Sequence, residues 1–287
     1  MSSDQAIRPR SGQIKTNDGV NLHYLEAGSG PPLVLVPGWS QTAAMFRAQL
    51  DGLSSNCRVI ALDMRGHGQS EKPEHGYRIA RLAKDLHEAL VALNLREVNL
   101  AGHSMGCAVI WSYWDQFGDD RLRRLILIDQ PATPLIWPNW TDTDRAHAGS
   151  RLDATALMDF IAGLTGPEGI QISKDYITRS FFTSAVLPVT VEWVINENLQ
   201  FPRHFAARLL VDLYVQDWRD VLPRITLPTL VVGGEASLFN PQSQRWNADQ
   251  IPGARLEMFS AEDGGSHFMW LENPERFNAL IRDFISS

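Results

Sequence analysis

Cysteine is nearly absent from this chain of 287 residues: Cys57 and Cys107 are the only two. Two thiols supply neither a disulfide framework nor a zinc set, and Cys107, set in an apolar helical stretch, reads as a small core residue. None of the eight histidines forms an HxxxH or HExxH pair, so the sequence offers no metal site, and no cofactor motif is present either. Long apolar runs are missing as well. The longest, Pro31 to Trp39, is broken by prolines and a glycine and is far too short to cross a bilayer. The opening MSSDQAIRPR is polar and does not resemble a leader, so the expected location is cytoplasmic.

An excess of positive charge is lacking too. The net charge of −7 disfavours a nucleic-acid partner, which needs clustered Lys and Arg to displace counterions. The one basic cluster, Arg121, Arg123 and Arg124, reads as a solvated helix end. No internal repeat and no heptad run appears, and the oligomeric state is not legible. What remains is the composition of an ordinary globular protein, 44% hydrophobic and 21% charged, expected to act on a small molecule rather than a macromolecule or a membrane.

The order of elements predicts the architecture. Gly12 to Lys15 and Asn21 to Glu26 flank an Asn17-Asp18-Gly19 turn, the pattern of a hairpin. PPLVLVPG and CRVIALD are aliphatic runs without polar alternation, as in strands buried on both faces. Helical spacing lies between them, from Ala43 to Leu53, and again from Ala80 to Leu93. VNLAG, MGCAVIWSYWDQF and RLILID then give strand, helix and strand. Such alternation implies βαβ units and a mostly parallel central sheet with flanking helices. From Pro134 to about Arg224 the strand signals stop and Trp, Phe and Leu recur at helical spacing. LPTLVVGG and ARLEMF restore strands, and Pro274 to Ile285 closes with an amphipathic helix. The expected organisation is an α/β core of residues 1–133 and 224–287, with a helical cap inserted at 134–223 over a pocket.

Chemistry concentrates in Gly102-His103-Ser104-Met105-Gly106, set between a strand and an apolar helix. G-x-S-x-G in that context lifts a serine hydroxyl above the carboxyl edge of the sheet, and the N–H of Met105 then faces a developing oxyanion. Val36-Pro37-Gly38-Trp39, Asp63 to Ser70 (DMRGHGQS), Gly264-Gly265-Ser266-His267-Phe268 and Glu272 to Phe277 (ENPERF) stand around it. Together these motifs resemble the α/β-hydrolase superfamily in its usual order across nearly the whole chain. The resemblance implies Ser104 as nucleophile, His267 as its base, the N–H groups of Trp39 and Met105 as oxyanion hole, and no cofactor. His67, in RGHGxS, then belongs to a structural turn and His103 to the pocket floor, while His23, His75, His87, His147 and His204 read as surface or satisfied histidines.

The third member departs from the commonest form. Many relatives have G-D-x-D-x-x-x-P after the late strand; here the stretch is Gly234 to Pro241 (GEASLFNP), and Ser237 stands at the usual acid. Asp129, at the end of RLILID, is the expected substitute, with Glu235 as the alternative. The displaced acid also makes the chain similar to cofactor-free dioxygenases of hydroxy-oxoquinolines, in which the histidine deprotonates a bound heteroaromatic. The additional pocket histidines of that group correspond here to His103, retained, and to Gln41 and Met105. Haloalkane dehalogenases, which share the displaced acid, need an aspartate where Ser104 stands. The expected activity is hydrolysis of a carboxylic ester or lactone of a small, largely apolar substrate, with Trp39, Gln41 and His103 in the pocket. Dioxygenase chemistry and ligand binding without turnover are the alternatives.

Overall fold

A computed structural model describes residues 9–287. The opening MSSDQAIR, and with it the expectation about a leader, lies outside the described residues. Eight strands form one sheet: β1 (Arg10–Lys15), β2 (Asn21–Ala27), β3 (Pro32–Val36), β4 (Arg58–Leu62), β5 (Val98–His103), β6 (Leu122–Ile128), β7 (Thr229–Gly234) and β8 (Arg255–Phe259). Their order is β1-β2-β4-β3-β5-β6-β7-β8. β1 pairs antiparallel with β2, and β2 with β4; every later pairing is parallel.

The aliphatic strands explain why helices must cover both faces. Successive side chains of a strand point to opposite sides. Val34 and Val36 of β3 join Ile60, Leu62, Leu100, Leu125 and Leu127 in one core. Leu33 and Leu35 join Val59, Ala61, Ala101, Ile126 and Ile128 in the other. The first core is closed by helices α2 (Ile79–Ala92) and α3 (Met105–Phe117), the second by α1 (Arg47–Leu53) and the C-terminal helix (Pro274–Ser286). Burying one such aliphatic side chain contributes about 1.5–3 kcal/mol, which makes the doubly covered sheet the stable arrangement for these runs.

Between β6 and β7 lie five helices, α4 (Asp142–Ala148), α5 (Ala154–Thr165), α6 (Gly169–Ser180), α7 (Pro188–Asn198) and α8 (Arg203–Tyr214). Thr141 and Asp144 form a capping box at the start of α4, and the Asp153 side chain caps α5. α9 (Pro241–Gln250) and the short α10 (Met269–Glu272) precede α11, the C-terminal helix already described. α4 packs on α9, α7 on the turn Ala43–Phe46, and α8 on α2 as well as α5, so the inserted helices are tied to the sheet layers at three places.

One local reading changes. Arg123 and Arg124 lie inside β6 rather than at a helix end, Arg124 is buried, and Arg121 donates to the carbonyl of Leu95. α9 gave no helical hydrophobic pattern because the face it buries is largely polar: Ser243, Gln244, Asn247 and Ala248. Among the described residues no helix is long and apolar enough to cross a membrane.

Candidate active site

Parallel strands present their carboxyl ends on one edge, and the loops after them gather functional groups there. Trp39 follows β3, Ser104 follows β5, Asp129 follows β6, Ser237 follows β7 and His267 follows β8.

The turn at Ser104 is strained. Its backbone has φ 52° and ψ −123°, and its N–H donates to the carbonyl of Ile128. Non-glycine residues reach this region only when their surroundings enforce it. A Cβ on Gly102 would strike the backbone of Gly106, and one on Gly106 would strike the carbonyl of Val36. The glycines of the motif are therefore needed so that α3 can start hard against β3 and β5.

Asp129 also has a positive φ, of 52°, with its N–H held by the carbonyl of Val232. Its Oδ2 accepts from His267 Nδ1 at 2.6 Å, and the Ser237 hydroxyl donates to the same oxygen. The hydroxyl of Ser237 thus supports a carboxylate supplied by the neighbouring strand. Glu235 is far more exposed, faces Arg245 at 3.5 Å and makes no bond to His267. Burial pushes the Asp129 carboxyl up, opposed first by the Ser237 hydroxyl. Burial also holds the His267 imidazole below its ordinary 6.5, so at neutral pH the ring is an unprotonated base.

The turn after β3 is pinned from three sides. The Gly38 N–H donates to Gln41 Oε1 at 2.9 Å, and the Ser40 N–H to His67 Nε2 at 3.1 Å. His67 donates in turn from Nδ1 to the Arg65 carbonyl, and burial brings its pKa down to about 4, which keeps it neutral. The Trp39 indole donates to the carbonyl of Ala206 in α8. Among the described residues the backbone N–H groups of Trp39 and Met105 take no protein acceptor. They remain free to donate to a bound group.

Trp39, Gln41, Ser104 and His267 line one cavity, together with Gln130, Pro134, Tyr176, Phe181, Leu210, Leu213, Tyr214, Leu238 and Phe239. Its volume is only about 30 Å³, room for roughly two waters. His103 does not reach it, contrary to expectation. Its fully buried ring lies behind His267, between Gln41 Oε1 at 2.9 Å and the His267 carbonyl at 2.8 Å. Burial pushes its pKa well down, and a neutral ring donates to only one of the two acceptors at a time. Trp270, three residues after His267, is core, stacked on Phe46.

Sequence reasoning overlooked Gln130. It follows the strained Asp129, its carbonyl accepts from Asn247, and its Oε1 lies 3.4 Å from Ser104 Oγ. The Ser104 hydroxyl is directed there and not to His267. Nothing in the sequence announced this, beyond adjacency to the acid.

The family pattern of the alpha/beta hydrolase fold matches residues 31–274. The chain belongs to the α/β-hydrolase fold family. The non-heme chloroperoxidase CPO-A1 of Kitasatospora aureofaciens is 30% identical over 282 residues, covering 94% of this chain and 98% of that protein. An esterase from Exiguobacterium antarcticum superposes with a TM-score of 0.85 at 27% identity, covering 96% and 99% of the two chains. A bromoperoxidase from Bacillus anthracis reaches a TM-score of 0.88 at 22% identity, over 97% and 100%. The last likeness speaks for the fold alone. Like other members of the α/β-hydrolase family, the chain carries its G-x-S-x-G serine at a strand-to-helix turn.

Proposed function

We propose that this α/β-hydrolase cleaves a carboxylic ester or lactone of a small, largely apolar substrate through an acyl-enzyme on Ser104. The observation that carries the proposal is the buried Asp129–His267 hydrogen bond at the wall of the cavity that Ser104 enters. Rotation about the Ser104 Cα–Cβ bond transfers its hydroxyl from Gln130 to His267, and unliganded sites commonly show such loose geometry. Ser104 Oγ then bonds to the carbonyl carbon while His267 takes its proton. The N–H groups of Trp39 and Met105 hold the oxyanion, each worth about 2.7–4 kcal/mol in comparable sites. Collapse expels the alkoxide, which receives the proton from His267. Water, deprotonated by the same ring, releases the acid and restores Ser104. Asp129 orients the imidazole throughout and stabilises its charged form. The likeness to a named esterase over nearly the whole chain supports the reading.

The name of the 30% identical relative favours a second outcome from the same intermediate. Attack by hydrogen peroxide in place of water would yield a peracid, an oxidant able to act on halide. Turnover of p-nitrophenyl acetate and of simple lactones, with and without peroxide, tests both. Hydrolysis that falls at least about a thousandfold in Ser104→Ala is the expected result. A wild-type protein that cleaves neither class contradicts the proposal.

A further inference from the structure

Two of the groups lining the cavity are phenols, Tyr176 of α6 and Tyr214 of α8, amid leucines and phenylalanines. Arg151 lies beyond them, exposed and outside the cavity lining, with Nη1 at 3.5 Å from Tyr176 Oη. The neighbouring arginines Arg145, Arg179 and Arg219 each face an aspartate. Arg151 faces no carboxylate within 4.0 Å among the described residues. Its backbone is fixed in place all the same. The Arg151 N–H donates to the carbonyl of Pro134, Ile136 donates to Leu152, and Ser150 Oγ donates to the carbonyl of Thr133. Leu135 and Leu152 bridge as in a sheet. Arg151 is thereby stapled to the segment that leaves Asp129 and Gln130 and that places Pro134 in the cavity wall.

We propose that Arg151, with the hydroxyls of Tyr176 and Tyr214, forms an anion-accepting end of the pocket and selects esters or lactones that carry a carboxylate remote from the scissile carbonyl. A guanidinium presents a planar fork of donors that matches a carboxylate, and an arginine without an acid partner is free to use it. The two phenols are hydrogen-bonded to each other, Tyr214 donating to Tyr176, which leaves the Tyr176 hydroxyl as the donor for a ligand. The field points the same way: although burial dominates all three groups, the Arg151 charge acts downward on His267, Tyr176 and Tyr214 alike. The cavity of about 30 Å³ must widen on binding, and the apolar wall formed by Leu210, Leu213, Leu238 and Phe239 would then take the methylene chain between the two polar ends.

This substrate class rests on the ester-hydrolase reading, and the test separates the two. Rates are compared for mono-p-nitrophenyl glutarate and p-nitrophenyl pentanoate, which have the same chain length and differ in the terminal carboxylate. The wild type is expected to prefer the glutarate, and the ratio of kcat/KM values to fall about tenfold in Arg151→Gln. The loss should lie mainly in KM, with partial recovery in Arg151→Lys. The preference should also shrink between 50 and about 500 mM salt, as Coulombic attraction is screened. A ratio that does not move on substitution overturns the assignment and leaves ester hydrolysis standing. If neither ester is turned over, binding of glutarate to the Ser104→Ala protein is measured by calorimetry. Binding lost in the double variant with Arg151→Gln supports the anion site without the hydrolase reading; no binding overturns the site.

Discussion

At position 237 a serine hydroxyl donates into a carboxylate that the adjacent strand supplies, so two strand ends cooperate on one histidine. Asp129→Asn keeps the shape but offers His267 the wrong hydrogen-bond pattern, and the expected loss is about ten-thousandfold in kcat. Glu235→Gln should stay within about twofold, as exposed ion pairs of its kind contribute little. Equal losses in the two variants would refute the choice of acid. Ser237→Ala removes the donor that holds the Asp129 pKa down. The carboxyl then keeps its proton to higher pH, so the acid limb of the kcat/KM profile should move upward, with about tenfold lower activity at neutral pH. An unmoved limb would show that Ser237 only fills space. The pairing of Asp129 with His267 was legible in the sequence because Asp129 ends an aliphatic strand on the edge where the loops gather. The supporting role of Ser237 was not, because a hydroxyl in that position signals only the missing charge. Gln130 and the retreat of His103 behind His267 depend on χ angles, which no sequence pattern carries.

At the scale of elements, the contact of α3 with β3 decides whether the site exists at all. Gly106 packs against the carbonyl of Val36, and that contact brings the Met105 N–H near the Trp39 turn. A methyl group there must push helix from sheet, so Gly106→Ala should cost about 3 kcal/mol in urea unfolding. Gly118 provides the comparison. It ends α3 with φ 62°, ψ −138° and open space around it, so Gly118→Ala should cost only the backbone strain, about 1–2 kcal/mol. Equal costs would contradict the account. The buried parallel strands were legible because nothing else in the chain gives short, unbroken aliphatic runs. α9 was hidden by a polar buried face. The inserted helices announced themselves as helical, but of their aromatics only Tyr176, Phe181 and Tyr214 reach the cavity. Trp137 is exposed, and Trp193 lines a separate groove with Met45 and Leu271. Which aromatic faces the site depends on how the helices dock, not on spacing along any one of them.

For the whole molecule, buried neutral histidines tie stability to pH. His67 has a pKa of about 4 in the fold against an ordinary 6.5. Between those values the unfolded chain binds the proton and the folded chain does not, so stability rises with pH and is lost as pH falls from 6.5 toward 4. The size is on the order of 3 kcal/mol for this one residue, and His103, pushed down by the same burial, acts in the same direction. Burial pushes Asp129 up and His267 down, so these two groups act in opposite directions on the slope. Asp18, lowered to about 2, adds a further loss below about pH 4. Urea midpoints at pH 7 and pH 5 should therefore differ, with the lower midpoint at pH 5 and an unchanged m-value. Equal midpoints would mean that these rings are charged in the folded protein.

The central claim, that Ser104 is a nucleophile activated by His267, is tested most directly by a fluorophosphonate probe read by intact mass. One adduct on the wild-type chain is predicted, absent from Ser104→Ala and His267→Ala and slow to form in Asp129→Asn. A wild-type protein that stays unlabelled, or a label that persists in Ser104→Ala, would contradict it.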